Sequence, residues 1–417
     1  MKKIRRAVSR TLIGGALALS TTACSDKFLK VTNPNVVDAA TVDPTTSAST
    51  LANSAQQNFA TAYSVLIMYG AWFTGEANVA DTFPTRNEFG YRVISEFNGS
   101  LNNELWQPLQ VAAASSKIVL DLALPNPTTN INLARAAAFR GFSVLTMAND
   151  FCTGALSSGP ELTTAQMLDT AIFWFGKGIE VGNANGSADA KALANASLVG
   201  RARAKLQKGD KAGAAADAAS VPPGFNFNLN YADDLNNRLR LSNTVYSFTF
   251  DRSSISISSA YQITGDPRVQ WLPQSQHSLQ AQDAVPGGFV MQKKYTAYNA
   301  PIRLASKIEA DYIAAEAGTI AEQLALITAR RAANNQPAYA GGTDAVSVLT
   351  ELYDQRAREF WLEDRRLADY RRHPEATNYI PASGSAYVKP GYVPVGTQTC
   401  YPLPRAERDN NPNMRKS

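Results

Sequence analysis

Glu359 and Glu363 are four residues apart, which on a helix places both carboxylates one turn apart on one face, a spacing suited to a metal or an acid/base pair. They sit in Glu351–Arg372, where six acids (Glu351, Asp354, Glu359, Glu363, Asp364, Asp369) alternate with six arginines (Arg356, Arg358, Arg365, Arg366, Arg371, Arg372). The competing structural reading is a self-neutralising ion-pair lattice around the apolar stripe Leu349, Leu352, Phe360 and Leu367. The lattice is favoured, because local arginines match every carboxylate and no histidine stands at Glu-x-x-His spacing. Arg356, Glu359, Glu363, Arg366 and Asp369 are thus expected to hold the fold. No catalytic residue, metal or cofactor is expected.

Other chemistries find little support. The chain has only 2 histidines, so a three-histidine metal centre cannot be built, and His277 and His373 read as solvated loop residues. Serine nucleophile elbows and Walker phosphate loops are absent. A glycan-cleaving enzyme needs two exposed carboxylates flanking a groove, and nothing in the sequence is placed for that.

With 45% hydrophobic and 18% charged residues the chain is globular. Its net charge of +5 is a local effect: Lys2, Lys3, Arg5, Arg6 and Arg10 precede the apolar run Leu12–Leu19 and the small residues before Cys24. This is the order of a secretory signal peptide, and Cys24 resembles the lipidated cysteine of a bacterial lipoprotein, although Thr21 stands where Leu is usual. Ser25 after the cysteine favours an outer-membrane destination. Once residues 1–23 are removed, the other 35 Lys and Arg face 35 Asp and Glu. That neutrality argues against nucleic-acid binding.

The elements expected to position these residues are mostly helical. A polar tether over 24–43 gives way to a helical pattern from Ser47 to Ala62, and further helices are expected over Leu101–Leu124, Asn132–Ala148 and after a cap at Thr163 or Thr164. Lys191–Gln207 and Lys211–Ser220, joined by Gly209-Asp210, fall close to a tetratricopeptide pattern; a generic Ala-rich hairpin is the alternative. Residues 224–300 break the rhythm, with strand-like alternation at Val245–Phe250 and Ser254–Ser258 and a short strand around Phe289–Tyr295. Helices are expected to resume over Ile302–Gly318, Ile320–Asn334 and, as one long helix, Ala345–Arg372, before a Pro- and Gly-rich tail over 373–417 that wraps the surface. The fold class is mainly α, with a single domain over 44–417: a helical scaffold (44–223 and 301–372) around an irregular insert.

Arg356-x-x-Glu359-Phe360-x-x-Glu363-Asp364-x-Arg366-x-x-Asp369-Tyr370-x-Arg372 resembles the carboxy-terminal signature of the SusD/RagB family of outer-membrane nutrient-binding lipoproteins. This chain departs from it at Gln355 for Glu, Asp364 for Gly and Tyr370 for Leu. Phe28-Leu29, Trp106, Asn149-Asp150-Phe151, Asp266-Pro267-Arg268, the Arg303–Glu316 segment and Pro402-Leu403-Pro404-x-x-Glu407 follow in family order. The resemblance implies a tetratricopeptide-like scaffold with an irregular ligand-binding portion. It also implies a lid on a TonB-dependent, SusC-like barrel, lipid-anchored at the cell surface, that binds an oligosaccharide or other nutrient and passes it on without chemistry. A periplasmic tetratricopeptide scaffold is a further alternative.

Sugar binding asks for an aromatic face with amides or charges nearby for hydroxyls. The candidates in irregular stretches are Trp72, Phe73, Tyr91, Tyr261, Trp271 and Tyr298, with Phe83 and Tyr295 behind them. If Cys24 carries lipid, Cys152 and Cys400 remain as a pair in an oxidising compartment, which predicts a disulfide pinning the tail; two separately buried thiols are the alternative.

Overall fold

The computed structural model describes residues 43–414; the leader, Cys24 and the tether as far as residue 42 lie outside the described residues. Helix α1 (Pro44–Thr74) runs well past the expected end at Ala62. Phe59, Tyr63, Leu66, Ile67, Tyr69, Trp72 and Phe73 are all buried, so most of its circumference is apolar and it lies inside the molecule. Strand β1 (Ala77–Val79) and helix α2 (Pro84–Gly90) follow. A π-helical turn at Leu101–Trp106 then leads into α3 (Gln107–Leu120), where one continuous helix was expected.

Helices α4 (Ile131–Asp150), α5 (Thr164–Asn185), α6 (Ala188–Lys208) and α7 (Lys211–Ala219) pack each on the next in the manner of tetratricopeptide units. A small hairpin of β2 (Thr153–Gly154) and β3 (Leu162–Thr163) precedes α5. Their limits are set by local chemistry. Thr163 and Gln166 form a capping box on α5, and Gly209, at φ 91°, ends α6 in a left-handed conformation before Asp210 caps α7. Close approach is set by glycines: a Cβ on Gly141 of α4 or Gly200 of α6 would lie within 2.7 Å or 2.4 Å of the Phe175 ring of α5. The ring fills the gap between the two neighbouring helices.

The insert is anchored at both ends. Strand β4 (Asn226–Leu229) pairs antiparallel with β8 (Ile302–Ser306), so residues 230–301 leave and return at one place. Within it lie α8 (Arg238–Leu241), α9 (Thr244–Phe250), β5 (Ile255–Ile257), which pairs with β1, and the short pair β6 (Trp271–Leu272) and β7 (Met291–Gln292). The alternation at Val245–Phe250 predicted a strand; the segment is helix α9. Asn243 accepts from the Tyr246 amide as its cap, and Val245, Phe248 and Thr249 turn inward at helical spacing.

After α10 (Lys307–Ala317) and α11 (Ile320–Ala333) comes a second correction. The expected long helix is two, α12 (Ala345–Glu359) and α13 (Arg366–Arg372), separated by a turn in which Leu362 and Asp364 both have φ of 55°. The charges in this segment therefore do not neutralise one another along one helix face. Glu309 of α10 sits between Arg203 of α6 (2.7 Å) and Arg365 of the turn (3.2 Å), all three buried. Glu363 takes Lys294 at 2.6 Å and Arg303 at 3.0 Å, and Glu359 takes Arg330 at 2.6 Å and Arg303 at 3.3 Å. Arg356 does pair within the segment, with Asp369 at 3.0 Å, and Arg372 bridges Asp369 and Glu316. Arg366 donates to the Asn378 carbonyl in the tail. The lattice thus ties helix to helix and scaffold to insert.

The tail lies against the helices through the buried Tyr401 and Leu403 and through hydrogen bonds. Cys152 and Cys400 are joined in a disulfide spanning 248 positions, and beside it the Tyr401 amide donates to the Asp150 carbonyl at 2.7 Å and Cys152 N to Tyr401 O at 2.9 Å. Helix α14 (Arg405–Asn410) is fixed by Trp106 Nε1 donating to Glu407 at 2.9 Å and by Arg408 gripping both oxygens of Glu161.

Two consequences can be measured. Burial raises the Glu309 carboxyl, but Arg203 and Arg365 overcome that and hold its pKa at about 2, so its stabilisation is complete above the ordinary 4.5 and is lost as the pH falls from there to about 2. Removing the charge leaves two buried guanidiniums facing each other, so Glu309→Gln should cost about 3 kcal/mol in denaturant unfolding at neutral pH. Asp364 behaves in the opposite sense. Burial places its pKa at about 6, against the pull of Arg365 and Arg203. Its contribution is therefore full below the ordinary 3.8 and is lost as the pH rises through 6. The melting temperature should climb as the pH is lowered from about 8 to about 5. Asp364→Gly, which removes the carboxyl and relaxes the positive φ, should flatten that slope and gain on the order of 2 kcal/mol at the alkaline end. An unchanged slope in this variant would refute the assignment.

Candidate functional site

The strand pair β6–β7 brings the chemistry of the insert together. Trp271 lies opposite Gln292, and the Lys293 amide donates to the Gln270 carbonyl at 2.8 Å, so Gln270 and Trp271 run beside Gln292 and Lys293. Gln292 is buried and fastens the pair from beneath: its side chain donates to Tyr295 O at 2.9 Å and accepts from Tyr295 N at 2.8 Å. The indole of Trp271 is half-buried and donates through Nε1 to Ile263 O at 3.4 Å, which orients the ring. It lines a cavity of about 360 Å³ whose polar wall includes Thr264, Asp266, Gln270, Gln276 and Lys293.

The loop before β6 is held by an acid–arginine fork. Arg268 binds Asp266 through Nε at 2.9 Å and Nη2 at 2.8 Å, and Gln336 of the scaffold adds a third bond at 2.9 Å. Burial pushes the Asp266 carboxyl up, yet the Arg268 bonds outweigh it and the net shift is downward. Arg268 reaches on to Gln355 Oε1 at 2.9 Å, and this ties the loop to α12.

A second cavity, of about 370 Å³, adjoins the first through shared Gln270 and Lys293 and is walled by Arg268, Lys294, Arg303, Glu359 and Glu363. The two form one groove, aromatic at one end and charged at the other. Burial would raise Glu363, but Lys294 and Arg303 bring it below the usual carboxylate range. Burial lowers Lys294 against the pull of Glu363. The ion-pair lattice is thus also a wall of the groove.

The other aromatic candidates fall elsewhere. Trp72, Phe73 and Tyr261 are at most 1% exposed and belong to the core, as does Tyr295, so none of them presents a face to a ligand. Sequence alone could not separate them from Trp271, because their burial is set by helices and strands remote in sequence. Tyr91 is half-buried in a cluster with Tyr387 and Tyr392, ring centroids 5.6 and 6.0 Å away, and this cluster seats the tail: Tyr387 Oη donates to Asn87 and fills the space beside Gly90. Tyr298 has one face covered by the Arg238 guanidinium at 3.9 Å, while its hydroxyl donates to Asp251. Phe83 is exposed and carries Arg86 on its ring at 4.4 Å. His277 is not a solvated residue: its ring packs edge-on against Phe289 and its nitrogens are buried. Gln270, Gln276 and Lys293 were missed; their only signal was adjacency to Trp271 and to the Asp-Pro-Arg turn.

No family model matches the chain, and no curated protein does. Solved structures do. A SusD superfamily protein from Bacteroides vulgatus superposes over 89% of this chain and 98% of its own, with a TM-score of 0.65 at 13% identity. A laminarin-binding SusD-like protein covers 87% of this chain and 98% of its own (TM-score 0.63, 14% identity), and surface glycan-binding protein A from Bacteroides fluxus covers 89% and 98% (TM-score 0.67, 12% identity). At such identities the likeness speaks for the backbone, and it supports the resemblance read from the carboxy-terminal signature: the chain has the SusD-like fold.

Proposed function

We propose that this protein is a glycan-binding lipoprotein of the outer membrane that captures an oligosaccharide in the Trp271 groove and passes it to a TonB-dependent, SusC-like barrel without altering it. The observation that carries the reading is the half-exposed, orientationally fixed indole on the wall of a polar cavity. The apolar face of a pyranose ring packs on such an indole, and Thr264, Gln270, Gln276 and Lys293 of the same cavity lining supply polar groups for its hydroxyls. The names of two structural neighbours, one laminarin-binding and one surface glycan-binding, support it.

The state of the carboxylates in the groove walls supports binding without cleavage. A glycosidase needs a carboxyl that stays protonated near neutrality to act as acid. Asp266 and Glu363, in the groove walls, are both held below their usual range by cations, and Glu359 is bridged by Arg303 and Arg330. Glu76, which burial raises to about 7, and Asp364, raised to about 6, line neither of the two cavities. The cell-surface location rests on the leader and Cys24.

Trp271→Ala should weaken oligosaccharide binding by about tenfold or more in isothermal titration, in line with loss of one stacking ring, with the melting temperature little changed; unchanged affinity would remove the groove from consideration. Cys24→Ser should release the protein from outer-membrane fractions, and full retention would contradict the anchor.

A further inference from the structure

We propose that the glycan taken by this protein is anionic, and that its charged substituent, a uronate carboxylate or a sulfate ester, occupies the Lys293–Arg303 end of the groove. This rests on the reading of the Trp271 cavity as the sugar site and adds the charge of the ligand. The ion accounting around the second cavity does not close. Lys294, Arg303 and Arg330 serve two carboxylates, Glu359 and Glu363, and Arg268 is matched by Asp266. Lys293 is exposed at the junction of both cavities and makes no ion pair among the described residues. Four cations, Arg268, Lys293, Lys294 and Arg303, thus line the two cavities with three carboxylates, one of which, Glu359, is also taken by Arg330 from outside the lining, and the unmatched Lys293 lies where the two cavities meet.

The carboxylate oxygens of the wall are already engaged. Both oxygens of Glu363 accept from Arg303 or Lys294, and those of Glu359 accept from Arg303 and Arg330, so they repel an incoming anion less than free carboxylates. An anion docking at Lys293 would complete the pairing while the neighbouring sugar ring lies on Trp271. A neutral hydroxyl could use the same lysine, but it would leave the excess charge uncompensated. The exposed side chain of Lys293 can follow the ligand, whereas Lys294 is committed to Glu363 and the Trp361 carbonyl.

The test is isothermal titration of the mature chain with three probes, an oligogalacturonate, a sulfated galactan oligosaccharide and a neutral laminari-oligosaccharide. The expected result is binding of the galacturonate or the sulfated probe, with affinity falling as salt is raised. Lys293→Gln should weaken that binding about tenfold, the loss of one charge-assisted contact, while Lys293→Arg retains it; which acidic probe binds distinguishes carboxylate from sulfate. If the neutral probe binds in a Trp271-dependent manner, while the acidic ones bind no better and Lys293→Gln changes nothing, the charge proposal is overturned and the sugar site stands. If no probe binds, or binding is indifferent to Trp271, both readings are overturned.

Discussion

Glu363 ties the insert to the scaffold at the groove. Its carboxylate is buried and acceptable there only because Lys294 reaches it from the insert and Arg303 from β8. Both partners can reach it because the backbone turns between α12 and α13, with two non-glycine residues in the left-handed region. A continuous helix would have pointed Glu363 along the same face as Glu359 and left Lys294 without a counter-ion. The energy of ion pairing is thereby used to fix a geometry: β7 and Lys293 follow directly from where Lys294 is held.

The same reasoning explains why a binding groove lies beside the most highly charged part of the chain. Buried ion pairs contribute little net stability relative to apolar packing, but they resist displacement, since separating one charge from its partner leaves the other unsatisfied in a low-dielectric interior. The Asp266–Arg268 fork and the Glu359–Arg303–Glu363 wall resist displacement for that reason, and the indole in the adjoining cavity is held by its own hydrogen bond. A receptor that must hold a flexible sugar gains affinity when its own site needs no ordering.

Much of the fold was legible in the sequence because helix ends are local chemistry. Thr163, Gly209 and Asp210 mark their boundaries whatever surrounds them. The break after Glu359 was not legible, since no glycine or proline interrupts 345–372 and the turn is imposed by partners on α6, α10 and β8. Val245–Phe250 misled for a related reason: its residues suit a strand, and a single capping Asn243 decides for helix. At the site, the insert and Trp271 could be named in advance, but Trp72, Phe73 and Tyr261 carried the same signal and lie in the core. Exposure of an aromatic ring is a tertiary property. Lys293 could be recognised only once the ion pairs of its neighbours were assigned.

The most direct measurement is a crystal structure of the mature chain with a bound oligosaccharide. The account predicts a sugar ring stacked on the Trp271 indole, its hydroxyls within hydrogen-bond reach of Gln270 or Gln276 and a substituent at Lys293. Ligand density on the Tyr91–Tyr387–Tyr392 cluster, or anywhere else that leaves the Trp271 groove empty, would contradict it.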